Sequence, residues 1–217
     1  MILLTAPVRW TTEQVGPRPI ILQNRMTYPF GCLIRYDESV NALRKDAARN
    51  RDLVLQAAHA IRRGGQTLQL NAVARVAGVG VGTVYRHFAT VEQLTEALVL
   101  GRFDDLTDRA RQVQDAAGLR SFLEHALDIL VSDDDFATTA TTPRPALPAT
   151  EEARQRLLDT LTAAIARSRP TRGLDDGLTP ADILILLCGL AYAIRRSNAD
   201  QARRRQYLDA FLRGTLT

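Results

Sequence analysis

At 217 residues, with 46% hydrophobic and 24% charged side chains, the chain has the make-up of a globular protein with a sizeable core, built as one large or two small domains. Its formal charge is +4, but residues 41–90 hold eight Arg or Lys against two Asp, a net +6, so the remainder sums to −2. Concentrated positive charge points to a polyanionic partner, and two distant cysteines, Cys32 and Cys188, exclude a disulfide framework and a zinc site.

Nine prolines, 6% aromatics and abundant Ala, Leu and Arg lean toward an all-α fold. Residues 1–40 contain four of the nine prolines and no sustained helical period. They read as an N-terminal extension, poorly ordered or loosely docked, or as a start assigned too far upstream. Their opening "MILLTAPVRW" lacks the basic flank and long apolar run of an export signal, so a cytoplasmic protein is expected.

From Ser39 or Asn41, apolar residues recur at helical spacing through Val54, Ala57, Ala58 and Ile61, until Gly64-Gly65 stops the helix. A short second helix follows in "LQLNAVARVAG", with Leu70, Val73, Ala74 and Ala77 on one face and an end at Gly78. A third runs from about Val81 to Phe88, with Val84 and Phe88 facing inward. Thr90 is placed to cap a fourth over Glu92 to Asp108, and another spans about Leu119 to Val131. "ATTATTPRPALPAT", 137–150, reads as a loop. Three more helices are predicted, at Glu151 to Ser168, Pro180 to Ser197 with Thr179 as cap, and Ala202 to Gly214.

Two short helices joined by a glycine turn form a helix-turn-helix, whose second helix enters the major groove of DNA. In "AGVGVGTVYRHF", 77–88, Gly78 ends one helix, Gly80 begins the next, and Gly82 leaves no side chain to hold the backbone away from DNA. Arg86 can donate two hydrogen bonds to a guanine edge, while Thr83, Tyr85 and His87 are placed for phosphates. The alternative is that Tyr85 and His87 pack against the neighbouring helix.

"VARVAGVGVGTVYRHFATVEQL", preceded by a long helix with a basic start, resembles the N-terminal domain of the tetracycline-repressor (TetR) family over roughly residues 44–100. The resemblance implies an all-α homodimer with a three-helix DNA-binding domain at 41–90. It also implies an effector-binding and dimerisation domain at 91–217 that releases DNA when a small molecule binds. It carries over Gly82, Thr83, Tyr85, Arg86 and His87 as residues that touch DNA. With Gly80, Val81 and Thr90 of the same motif, Gln69 before the second helix, and Arg44, Lys45 and Arg49 at the basic start, these make the expected DNA-binding set. The chain departs from the family at Val91, where a basic residue is common, and at Gln69, where Ser or Thr often caps. Both departures shift phosphate binding toward Arg44, Lys45, Arg49 and Arg51.

"ILILLCGLAYAI", 183–194, is too short for a bilayer, which needs about 20 residues, and is apolar nearly all round. It suggests a helix buried between its own domain and a second copy, with Leu184, Leu187, Cys188, Ala191 and Tyr192, and Tyr207 and Phe211 of the last helix, at the dimer interface. A central core helix of a monomer is the alternative. Phe103, Phe122, His125, Leu127 and Phe136 are the expected lining of the effector pocket, with ordinary core as the competing role. The expected partners are double-stranded DNA with a palindromic operator, an effector of unknown identity and a second copy, in a bacterial cytoplasm at the nucleoid. No metal, cofactor or membrane is expected. His59, His87 and His125 lie on different predicted helices and no catalytic motif accompanies them, so the chain does not read as an enzyme. A protein of this fold without sequence-specific DNA binding is the second reading.

Overall fold

The computed structural model describes residues 20–22, 25–27, 33–35, 38–168 and 177–215, with side chains from Arg44 onward. The chain divides into two units, 1–49 and 50–217. In the first, β1 (Ile20–Leu22), β2 (Arg25–Thr27) and β3 (Leu33–Arg35) form an antiparallel meander in the order β1-β2-β3, with Met26 opposite both Ile21 and Ile34. Strands of three residues are too short to leave a period in a sequence, so the all-helical reading misses them. The rest of the expectation for residues 1–40 falls largely outside the described residues.

All further regular structure among the described residues is α-helical. Helix α1 (Glu38–Arg63) begins next to the predicted start and ends at Gly64-Gly65, where Gly65 takes a left-handed φ of 71°. It is followed by α2 (Leu70–Ala77), α3 (Val81–His87), α4 (Val91–Gln112), α5 (Ala116–Ser132), α6 (Asp134–Thr141), α7 (Pro148–Ser168), α8 (Pro180–Ser197) and α9 (Gln201–Thr215). Side-chain caps set several starts, because the first N–H groups of a helix have no partner within it. Asp115 accepts from Gly118 N, Asp133 from Phe136 N, and Thr179 from Asp182 N, with Asp182 returning a bond to Thr179 N.

The predicted loop 137–150 needs correction. Its first five residues belong to α6, which Asp133 caps, and α7 starts at Pro148, three residues before Glu151. Threonine is a mediocre helix former, so "FATTATT" carries no helical signature of its own. Burial of Phe136, Ala137, Thr139 and Ala140 supplies what propensity lacks.

Within residues 50–217 the buried side chains form two clusters. One joins Val54, Ala58 and Ile61 of α1 to Leu70, Val73 and Ala74 of α2, Val84 of α3, Phe88 and Leu94 of α4. The other runs from Val99 through Phe103 and Leu106 to α5, α6, α7, α8 and Leu208 of α9. Helix α4 therefore contributes to both, and its main partner is α7.

Helix α8 corrects the reading of 183–194. Leu184, Leu187, Cys188 and Ala191 are taken up by the chain's own core, as is Ile194. The opposite face exposes Ile185, Leu186, Gly189, Tyr192 and Ala193. Of the expected interface residues, Tyr192 is 59% exposed, while Tyr207 and Phe211 of α9 are half-buried against the core. An apolar run of this length hides which side faces inward; the packing of α5, α6 and α7 decides it.

The Cys188 thiol lies beside the Ala137 carbonyl at 3.7 Å, and burial pushes its pKa up to about 11. Alkylation proceeds through the thiolate. In a Cys32→Ser background at pH 8, iodoacetamide is expected to modify Cys188 roughly a hundredfold more slowly than an ordinary thiol, and at the ordinary rate in urea. Equal rates in both states, read by mass spectrometry, would show that the thiol is accessible in the folded protein.

Candidate nucleic-acid interface

Helix α3 owes its position to the turn before it. Gly78 adopts φ 68° and ψ 25°, a left-handed conformation that L side chains rarely accept, and ends α2 with bonds to the carbonyls of Ala74 and Arg75. Gly80, extended, opens α3, its carbonyl accepting from Thr83 N at 2.8 Å and Val84 N at 3.3 Å. Val84 and Phe88 then anchor α3, both fully buried. The guanidinium of Arg51 sits 5.5 Å from the centre of the Phe88 ring, a cation–π contact that tethers α1 to the end of α3.

With those anchors inside, α3 presents Val81, Gly82, Tyr85 and Arg86 to solvent, and Thr83 and His87 stand half-buried at its margins. Tyr85 is 48% exposed, which removes the alternative that it packs inward. A Cβ added at Gly82 would meet nothing within 4 Å, so packing inside the chain gives no reason for glycine there. Arg86 donates its Nε to the Gly82 carbonyl at 3.2 Å, which leans the guanidinium along the exposed face.

The remaining residues of the expected set lie on α1, before α2 and at the start of α4. Arg44, Lys45 and Arg49 are exposed on α1. Gln69 is exposed at the start of α2, where its backbone carbonyl accepts from Val73 N but its side chain makes no cap. Thr90 accepts from Gln93 N at 3.3 Å, and Gln93 Oε1 in turn accepts from Ala89 N at 2.8 Å, a reciprocal cap on α4. Val91 is half-buried and packs on the first core cluster, a physical reason for an apolar residue where charge was expected.

The five residues expected to line the effector pocket do not gather around a single cavity. Phe103 and Phe136 pack edge to face, 4.9 Å between ring centres, fully buried, and Leu127 is core beside them. His125 turns instead to Asp105, Nε2 to Oδ2 3.0 Å, and that bond holds the Asp105 carboxyl below its ordinary value. Phe122 borders the apolar cavity among α4, α5, α7 and α8, which at about 20 Å³ is the size of one water molecule but offers it no polar partner, and Phe122 and His125 together line an open cleft of about 350 Å³ with Arg109, Gln112, Val113, Gly118 and Ser121.

Two features have no signal in the sequence. Glu96, buried in α4, accepts from Ala146 N at 2.7 Å, Leu147 N at 2.9 Å and Thr150 Oγ1 at 2.8 Å, pinning the segment before α7 to α4. Next, Asp133, Asp134 and Asp135 at the α5–α6 junction pair with Arg102 of α4, Arg195 of α8 and Arg62 of α1 respectively. The partners of each pair lie far apart in the chain, beyond the reach of local spacing.

Residues 55–98 match the model of a family described as bacterial regulatory proteins, tetR family. An HTH-type transcriptional regulator of Staphylococcus aureus (strain USA300) is 31% identical over 75 residues, 34% of this chain and 40% of that protein. The match thus spans less than half the length of this curated relative. Among solved structures, a TetR family transcription regulator from Marinobacter aquaeolei VT8 shares 16% identity with a TM-score of 0.53, over 80% of this chain and 98% of the other. SmeT, solved as a complex with triclosan, shares 20% with a TM-score of 0.50, over 77% and 92%. At such identities the likeness is one of fold.

Proposed function

We propose that this chain, whose helix-turn-helix is of the tetR family of bacterial regulatory proteins, is a dimeric, DNA-binding transcriptional repressor released from a palindromic operator by a small molecule. The observation that carries this reading is the exposed face of α3. It combines a bare backbone at Gly82, the guanidinium of Arg86 and the phenol of Tyr85 on a helix fixed from behind by Val84 and Phe88. Such a face admits a base-reading arginine close to a groove edge.

The functional division we assign is 41–90 for reading DNA and 91–217 for effector binding and dimerisation. A second copy fits the apolar α8 face of Ile185, Leu186 and Tyr192, with Gly189 allowing close approach. Two copies would carry two reading helices to successive major grooves, about 34 Å or a multiple apart. That SmeT was solved with triclosan supports an effector-responsive reading for this fold. No helix among the described residues is long and apolar enough to cross a membrane. A DNA-binding role would put the protein at the nucleoid.

Mobility shifts on the DNA upstream of its own gene and of the neighbouring divergent gene test the reading. Salt-sensitive, sequence-selective binding is expected, and Arg86→Ala should lose about 1–3 kcal/mol of discrimination at one base pair. Val91 and Gln69 favour a second reading, in which the fold persists without specific DNA binding. Absence of any sequence preference in the parent would establish it, whereas a preference unchanged in the Arg86 variant would show that Arg86 is not the base reader.

A further inference from the structure

We infer that Val81 reads a thymine, by packing its side chain on the 5-methyl group that this base turns into the major groove. Among the described residues, large apolar side chains stand exposed in two places: Ile185, Leu186 and Tyr192 on α8, and Val76, Val81 and Tyr85 on the helix-turn-helix. The valines around the turn divide. Val84 is fully buried and Val79 packs on the first core cluster, whereas Val81 is 45% exposed. Valine is a poorer helix former than alanine, so neither packing nor propensity accounts for it at the start of α3. Gly80 and Gly82 flank it without side chains. Neither has a positive φ, and an added Cβ would meet only Thr83 Oγ1, at 3.8 Å, from Gly80 and nothing within 4 Å from Gly82. The exposed side of the first turn of α3 is thus one apolar side chain on bare backbone.

The surroundings decide what meets that side chain. Residues 41–90 carry a net +6, which favours the DNA polyanion over an apolar protein surface. Residues at the N-terminal end of a recognition helix are those that meet base edges. On the exposed face of α3, Tyr85 has a hydroxyl and Arg86 a guanidinium, both able to bond phosphate or base; the side chain of Val81 has neither donor nor acceptor. In the major groove, adenine, guanine and cytosine present donors and acceptors alone, and thymine adds a methyl group. Against any other base, Val81 would cover polar edge atoms without bonding them, which costs free energy. This role rests on the DNA-binding reading of α3 and gives that reading a base identity.

In the test, the full chain selects from a randomised duplex library, and each thymine of the selected duplex is then replaced singly by deoxyuridine, which lacks only the 5-methyl group. At one position the replacement is expected to weaken binding about fourfold, the value of one buried methyl group. In Val81→Ala that loss should largely disappear. Cytosine at the same position should bind more weakly than thymine, and 5-methylcytosine should recover part of the difference, because it returns the methyl group on another base pair. A deoxyuridine loss of the same size in the Val81 variant overturns the contact, as does 5-methylcytosine no better than cytosine. Selection that enriches no sequence defeats the DNA-binding reading and the thymine contact with it, whereas enriched sequences indifferent to deoxyuridine at every position defeat the role of Val81 alone.

Discussion

Phe103→Ala is expected to remove about 3–5 kcal/mol of stability, the range for truncating a buried aromatic ring. The ring is fully buried, meets Phe136 edge to face, and lies on α4 where the larger core begins. The cavity left behind is bounded by helices held in place by other contacts, so collapse would recover little. Since small domains are stable by about 5–15 kcal/mol in total, Phe103→Leu serves as the companion variant, with an expected loss under about 1.5 kcal/mol. Urea unfolding at one fixed protein concentration reads both. A loss below about 1 kcal/mol for the alanine variant would mean that the ring is not sequestered.

Glu96→Ala is expected to cost about 3 kcal/mol for a different reason. Glu96 is 5% exposed and accepts three neutral donors, from the fully buried Thr150, the half-buried Leu147 and the exposed Ala146, and a donor left without a partner costs about 1–3 kcal/mol where it is shielded from water. Alanine deprives Ala146 N, Leu147 N and Thr150 Oγ1 together, whereas Thr150→Ala deletes one donor and should cost about 1 kcal/mol. Hydrogen exchange separates this from a general loss of stability. In the Glu96 variant the amides of Ala146 and Leu147 should lose protection well before those of Leu123 or Leu130. Retained protection at both amides would show that the pin does not hold this segment.

Legibility followed the range of the interactions involved. Helix ends were readable wherever the stopping or starting group sits in the same few residues: Gly64-Gly65 after α1, Gly78 after α2, Thr90 before α4, Thr179-Pro180 before α8. The exposed face of α3 was readable too, since Val84 and Phe88 four residues apart fix which side turns inward. Helix α6 was not, because its stability comes from burying Phe136 against α4 and from pairs with Arg62 and Arg195, all remote in sequence. The inward side of α8 was hidden because apolar residues surround the helix and packing alone chooses among them. The expected pocket divides on the same ground: aromatic residues on neighbouring helices can line a void or fill it, and here Phe103 and Phe136 fill theirs while Phe122 and His125 border a cleft. Val91 shows the converse, a departure from a familiar pattern that burial on the first core explains.

The continuity of α4 has a geometric corollary. Leu94 belongs to one core and Val99 to the other on a single unbroken helix, and each residue turns an α-helix by about 100°. The angular phase between the helix-turn-helix and the rest of residues 50–217 is thus set by the count of residues between those two. Conservative exchanges there leave that phase alone, whereas one inserted or deleted residue would swing Leu94 a quarter-turn out of its core or drag Val99 and Phe103 out of theirs. Length, more than composition, is what selection has to guard along that one turn of helix.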